Sequence, residues 1–175
     1  MDMKSLIRRI LVPSQDEMPL IVAFGAFCLI AIANGFQHIG GLEPCPLCMD
    51  QRQAYWVAIL VSGLTYFLAK NPATKDSPGP RVASVLITLA LAYGFYLAAF
   101  HTGVEQGWWD GPASCTSVGP RASFEDLMSG EVGVVMCDEI PWSLFGISMA
   151  GYNALAALAL TVYSVLPHVR ALQDR

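Results

Sequence analysis

At the junction of two long apolar runs the chain reads Glu43-Pro44-Cys45-Pro46-Leu47-Cys48-Met49-Asp50-Gln51-Arg52. Its two cysteines are separated by two residues and can close a small disulfide ring. A cysteine at the start of a helix, near a fixed cation such as Arg52, is held more easily as the thiolate. The stretch therefore predicts a pair of thiols, Cys45 and Cys48, that is oxidised and reduced repeatedly.

The composition is unlike that of an ordinary soluble domain. Of 175 residues, 54% are hydrophobic and only 14% are charged. Apolar residues in such long runs exceed what one small soluble core can bury. The net charge is −4 and the sequence contains no basic patch, so no nucleic-acid partner is expected.

Four apolar segments are predicted to cross a lipid bilayer as helices, because a core of ~30 Å needs about 20 helical residues. They cover about 18–39, 49–69, 82–101 and 142–166. The prediction is an all-α membrane protein, a four-transmembrane-helix bundle forming a single integral membrane domain over 1–175. A cleaved signal peptide ending near Ala31-Ile32-Ala33 is the alternative for the first segment, although its apolar run exceeds a signal core of roughly 7–15 residues.

The basic residues predict the orientation of the bundle. Eight of them fall on the side shared by both termini and the middle loop: Lys4, Arg8, Arg9, Lys70, Lys75, Arg81, Arg170 and Arg175. Only Arg52 and Arg121 fall on the other side, so both termini are expected in the cytoplasm. The outer loops are then 40–48 and 102–141, and Cys45, Cys48, Cys115 and Cys137 share the face where a bacterium keeps disulfides oxidised.

The second outer loop is long, acidic and rich in glycine and proline. Within it Phe124, Leu127 and Met128 have helical spacing, and Ser123 suits an N-cap. A short amphipathic helix lying on the membrane fits this pattern. A solvated turn fits it equally well.

The four outer cysteines can pair in three ways. In the sequence-local pairing, a Cys45–Cys48 ring is too small to gain much from loop entropy, whereas a Cys115–Cys137 bond could be a structural staple of about 3 kcal/mol. A tetrathiolate zinc site is a further alternative. Because such sites usually use two close pairs, no metal is expected here.

Two polar residues near the membrane surface are candidates for a functional role. Arg52 follows Cys48 by one helical turn, and an arginine inside a membrane helix needs a partner unless it snorkels to the headgroups. A thiolate or a quinone oxygen would be a suitable partner. His101 ends the third span at the same level, where it could also be only a polar cap.

These features together resemble the disulfide bond formation protein B (DsbB) family, membrane thiol:quinone oxidoreductases of bacteria. The similar pieces run from the first span into the fourth: Phe36-Gln37-His38, Pro44 to Cys48 with Arg52, His101, Cys115 with Cys137, and Trp142 through Gly146 to Met149. The resemblance implies a multi-pass protein of the bacterial inner membrane that re-oxidises a periplasmic thioredoxin-like oxidase of the DsbA type.

The resemblance also implies a role for each matching residue. Cys115 would take the mixed disulfide with the soluble partner, and Cys137 would be its pair. Cys45 would exchange with the loop disulfide, and Cys48 would face the quinone, either ubiquinone or menaquinone. The implied quinone contacts are Arg52, His101, Met149 and Leu97.

Two other functions remain open on the sequence. A vitamin K epoxide reductase-like enzyme also combines four helices, a C-x-x-C motif and a quinone, but in that family the order of the two cysteine pairs is reversed. A tetraspan structural protein with two stabilising disulfides belongs to a different class. It predicts permanently oxidised cysteines and no quinone.

Overall fold

The computed structural model describes residues 17–112, 115 and 136–173. This part contains four long helices, α1 (Met18–His38), α2 (Pro46–Lys70), α3 (Gly79–Glu105) and α4 (Met149–Gln173). A two-stranded antiparallel hairpin, β1 (Ser143–Leu144) and β2 (Ile147–Ser148), precedes α4. The protein is mostly helical as predicted, and the hairpin is a departure from an all-α fold. The expected short helix around Phe124 lies outside the described residues.

Three of these helices, α1, α3 and α4, are long and apolar enough to cross a membrane. The α2 helix does not meet the same measure, since its first turns carry polar and charged side chains from Asp50 to Gln53. That α2 also crosses remains a prediction. Large apolar side chains point outward, among them Phe24, Leu60 and Phe67, each at least 70% exposed. Apolar surface of this extent marks a face for lipid or protein.

The helices pack around a core that runs through the bundle. The α3 helix contacts both α2 and α4, and α1 packs mainly against α2. Gly94 of α3 lets the two middle helices approach closely, because a Cβ there would lie 3.4 Å from the Cβ of Ala54. The buried residues of this core are Met18, Val22, Ala26, Ile30, Tyr55, Ala58, Ile87, Leu91 and Ala157.

The boundaries of α3 and α4 differ from those of the predicted spans. The α3 helix continues to Glu105, so the start of the expected outer loop 102–141 is helical. The α4 helix begins at Met149 rather than at Trp142, and it ends at Gln173, beyond 166. The chain between Trp142 and Met149 turns back on itself through Phe145 (φ 51°) and Gly146 (φ 78°). Positive φ at both central positions is the geometry of a tight hairpin turn.

Candidate active site

The two cysteines of the C-x-x-C motif lie in the first turn of α2. Cys45 is the N-cap residue, and its sulfur accepts a hydrogen bond from the backbone N–H of Cys48 at 3.4 Å. Pro46 follows at the first helical position, where its missing N–H costs nothing. Both thiols are free, and the two Sγ atoms are 3.1 Å apart. The pair is thus positioned to close a disulfide with little movement.

The second cysteine pair lies against the first. Cys115 and Cys137 form a disulfide, and both are buried together with Cys45. The Sγ of Cys45, the Sγ of Cys137 and a ring nitrogen of His101 all lie within 4.8 Å of one another. Because the sulfur of Cys137 is already bonded to Cys115, this is a thiol beside a disulfide. The arrangement suits thiol–disulfide exchange.

His101 lies beside both thiols of the C-x-x-C motif. Its Nε2 is 3.6 Å from the Sγ of Cys45, and its Nδ1 is 4.0 Å from the Sγ of Cys48. The side-chain nitrogen of Gln51 approaches Nδ1 to 3.1 Å. A donor at Nδ1 leaves the proton of a neutral imidazole on Nε2.

Gln51 is itself held by a chain of polar groups inside the bundle. Asn153 of α4 donates to the Gln51 side-chain oxygen at 2.5 Å, and the Tyr55 hydroxyl donates to Asn153 at 2.6 Å. Buried polar groups linked in this way fix one another's orientation. Sequence analysis missed this network, because Gln51 and Asn153 lie on different helices and in distant parts of the chain.

The two thiols are electrostatically unequal. Both cysteines precede residue 49, where the predicted membrane-spanning part of α2 begins. A hydrogen bond with the Cys45 thiol, assisted by His101, holds the pKa of Cys48 well below its usual range, although burial opposes this. The same hydrogen bond and burial raise the pKa of Cys45. These opposite shifts favour Cys48 as the thiolate of the pair.

The described hydrogen bonds of Arg52 go to the end of α1. Its guanidinium donates to the side-chain oxygens of Gln37 at 2.6 Å and of Asn34 at 3.4 Å, and to the Ala33 carbonyl at 3.4 Å. The expectation that Arg52 stabilises the Cys48 thiolate is thus not supported by a contact. The neighbours that lower the pKa of Cys48 are Cys45 and His101.

Glu105 is a further charged residue of the site that the sequence analysis did not identify. Its side chain is 3% exposed, and Oε1 lies 3.9 Å from Nε2 of His101. Its other oxygen accepts a hydrogen bond from the hydroxyl of Ser148 in β2. The sequence spacing could have indicated this residue, since Glu105 follows His101 by four residues and the two share one helix face.

A cavity of about 480 Å³ opens beside the cysteines, between the helix ends that lie near them. Five of the predicted site residues line it: Cys45, Cys48, Arg52, His101 and Met149. Aromatic rings form part of its wall, with Phe36 and Trp142 5.0 Å apart and Tyr152 6.1 Å from Trp142. Leu97, predicted as a further contact, is instead buried one turn before His101 and does not line the cavity.

The apolar helices and this paired-cysteine centre define a membrane thiol oxidoreductase. A sequence model of the family described as Disulfide bond formation protein DsbB matches residues 15–167. Curated proteins named Disulfide bond formation protein B are similar over most of their length. The chain is 31% identical to that of Xylella fastidiosa (83% of this chain, 86% of the relative) and 29% identical to that of Marinobacter nauticus (84% and 88%).

The chain belongs to the DsbB family. It is a disulfide-generating oxidoreductase with a redox-active centre, and it acts in disulfide bond formation at a membrane.

Proposed function

We propose that the protein re-oxidises a periplasmic thioredoxin-like oxidase of the DsbA type and passes the electrons to a membrane quinone. One observation carries the proposal. The free Cys45 thiol is held within 4.8 Å of the Cys137 sulfur on one side, while Cys48, 3.1 Å from Cys45, lines an apolar cavity on the other. The two cysteine pairs therefore form a continuous route for exchange.

The first step is attack of the reduced partner on the Cys115–Cys137 disulfide. The partner thiolate bonds to the Sγ of Cys115, and Cys137 leaves as thiolate. The partner's second thiol then displaces Cys115 and leaves the partner oxidised. Exchange of this kind requires a thiolate attacker and a good leaving sulfur.

The second step moves the disulfide between the pairs of this chain. When Cys45 and Cys48 are joined, the thiolate of Cys137 attacks the Sγ of Cys45, its neighbour in the structure. Cys48 is the leaving sulfur. Its lowered pKa makes it a good leaving group, since a sulfur of lower pKa leaves faster. Cys115 then displaces Cys45 from Cys137, which restores the loop disulfide and leaves Cys45 and Cys48 reduced.

The residues around the cavity fit a quinone. Its volume lies in the range of roughly 300–1,000 Å³ that is usual for small-molecule sites. Arg52 offers donors for the quinone oxygens, His101 lines the same cavity, and Met149 with the aromatic wall offers apolar contact. When bound, the quinone supplies the two-electron oxidation that closes the Cys45–Cys48 disulfide. The thiolate of Cys48 is the group of this chain that faces it.

The same proposal includes the membrane topology. All four helices, α2 among them, cross the bacterial inner membrane, and both termini are cytoplasmic. Support comes from the basic residues, because Lys70 and Arg81 lie at the ends of α2 and α3 opposite to the cysteines, and Lys75 lies in the loop between them. The four functional cysteines then face the periplasm, where the soluble partner is found.

Trapping the cysteine redox states with and without quinone tests the proposal. Purified protein is mixed with reduced partner, quenched in acid and alkylated, and the state of each cysteine is assigned by mass spectrometry. We expect Cys45 and Cys48 to be reduced by the partner and re-oxidised only when quinone is added. Cys28→Ser is the matched control, since Cys28 is a free cysteine outside the centre. Cysteines that stay oxidised with reduced partner and with quinone alike would instead support a structural protein.

A further inference from the structure

Glu105 is a buried carboxylate for which the steps above provide no role. It ends α3 at the outer edge of the bundle, and its side chain is 3% exposed. It also lines the cavity that holds Cys48 and His101. A carboxylate buried in a membrane bundle is costly and is usually functional.

The contacts of Glu105 connect it to the thiols through one imidazole. The Nε2 of His101 lies 3.9 Å from Glu105 and 3.6 Å from the Sγ of Cys45, while Nδ1 faces Gln51 and Cys48. Because Gln51 donates to Nδ1, the neutral ring carries its proton on Nε2, the nitrogen that faces Glu105 and Cys45. Within the described residues, the titratable groups that act on Glu105 are His101 and Cys48, and Ser148 supplies a neutral hydroxyl.

Building on the proposed function, we propose that Glu105 is a positioning residue for proton transfer. Its carboxylate faces the Nε2–H of His101 and favours the protonated ring. When Cys48 becomes a thiolate, Nδ1 takes the proton of Cys48 in place of the Gln51 hydrogen bond, and the imidazolium stores that proton. Closing the Cys45–Cys48 bond sends two electrons to the quinone, and two protons must accompany them. One proton leaves the Sγ of Cys45, and the stored proton is the other.

A purely structural role for Glu105 is the competing explanation, since its bond to Ser148 also ties α3 to the hairpin. Two substitutions separate these roles. Glu105→Gln keeps an oxygen that accepts from Ser148 but removes the charge. Ser148→Ala keeps the charge but removes the tie. Asp110→Asn is the matched control, because Asp110 is an exposed carboxylate near the end of α3 that does not line the cavity.

The first measurement uses reduced, quinone-free protein and follows the rate of Cys48 alkylation against pH. If Glu105 supports a protonated His101, Glu105→Gln makes the thiolate harder to form. The midpoint of the alkylation profile then moves to higher pH by about one unit, which corresponds to a tenfold loss of Cys48 thiolate at pH values below the midpoint. If Glu105 is only a nearby negative charge, its removal moves the midpoint to lower pH. A lower or unchanged midpoint overturns the proposal.

The second measurement adds quinone to the dithiol form in a single turnover. Glu105→Gln should slow quinone reduction about tenfold or more, within the range of proton-transfer effects, and leave the exchange with the soluble partner unchanged. Ser148→Ala and Asp110→Asn should match the wild type in both measurements. If the wild-type protein reduces no quinone, the proposed function fails, and the alkylation profile still decides the role of Glu105.

Discussion

Replacing Arg52 by leucine should weaken both the helix packing and the binding of quinone. The guanidinium makes three hydrogen bonds to the end of α1, the shortest at 2.6 Å to Gln37. A hydrogen bond to a charged group contributes about 1.5–3 kcal/mol in soluble proteins, and polar contacts inside membranes average about 0.6 kcal/mol. Losing all three should therefore lower the free energy of unfolding by about 1–3 kcal/mol. A lost charged hydrogen bond to a quinone oxygen should raise the quinone KM about tenfold to a hundredfold.

The assay is steady-state quinone reduction with saturating reduced partner, together with unfolding in detergent micelles. Gln37→Leu is the matched control, because it removes the shortest hydrogen bond of Arg52 but keeps the guanidinium in the cavity. It should reproduce part of the stability loss with a much smaller change in KM. Arg52→Lys keeps the charge and should lie between the wild type and Arg52→Leu. An unchanged quinone KM in a folded Arg52→Leu protein would refute the assignment of Arg52 to the quinone.

Three further outcomes are expected. In a Cys48→Ser/Cys115→Ser protein, mild oxidation should form a disulfide between Cys45 and Cys137, because their sulfurs lie within 4.8 Å of each other. If peptide mapping finds neither residue cross-linked, the exchange step is contradicted. Because the pKa of Cys48 is lowered and that of Cys45 is raised, alkylation of Cys48 should persist as the pH falls below the usual thiol range, while Cys45 should stay slow even at alkaline pH. Faster alkylation of Cys45 than of Cys48, measured by mass spectrometry, would contradict this. Gly146→Ala should lower the free energy of unfolding by about 1 kcal/mol, since the φ of Gly146 is 78°. Phe145→Gly should leave that free energy unchanged or raise it, because Phe145 has φ 51° and is 90% exposed. Equal thermal unfolding of the wild type and both variants would argue against the tight turn.

Hydropathy predicted the helices well where the chain changes abruptly from apolar to polar. The first span was expected at 18–39, and α1 covers Met18–His38. The fourth was placed too early, because residues from Trp142 to Ile147 are nearly as apolar as a helix. A hairpin of two-residue strands is too short to show a period of two. Of the two turn residues, Phe145 and Gly146, only the glycine is a residue type that indicates a turn.

Residue spacing predicted those parts of the site that lie on one helix turn or in one loop. The C-x-x-C motif with Arg52 is local, and the Cys115–Cys137 disulfide follows the sequence-local pairing. The partners of Arg52 were not predicted, because helix packing decides which neighbour reaches a long side chain. The same applies to Gln51 and Asn153, which meet across α2 and α4.

The account rests on transfer of electrons from a soluble dithiol through two cysteine pairs to a quinone. The most direct test is an anaerobic single turnover that measures partner oxidation and quinol formation in the same mixture. The wild type should form one quinol for each partner dithiol oxidised, and Cys48→Ser should form none. Quinone reduction by Cys48→Ser at the wild-type rate, or partner oxidation without quinol, would contradict it.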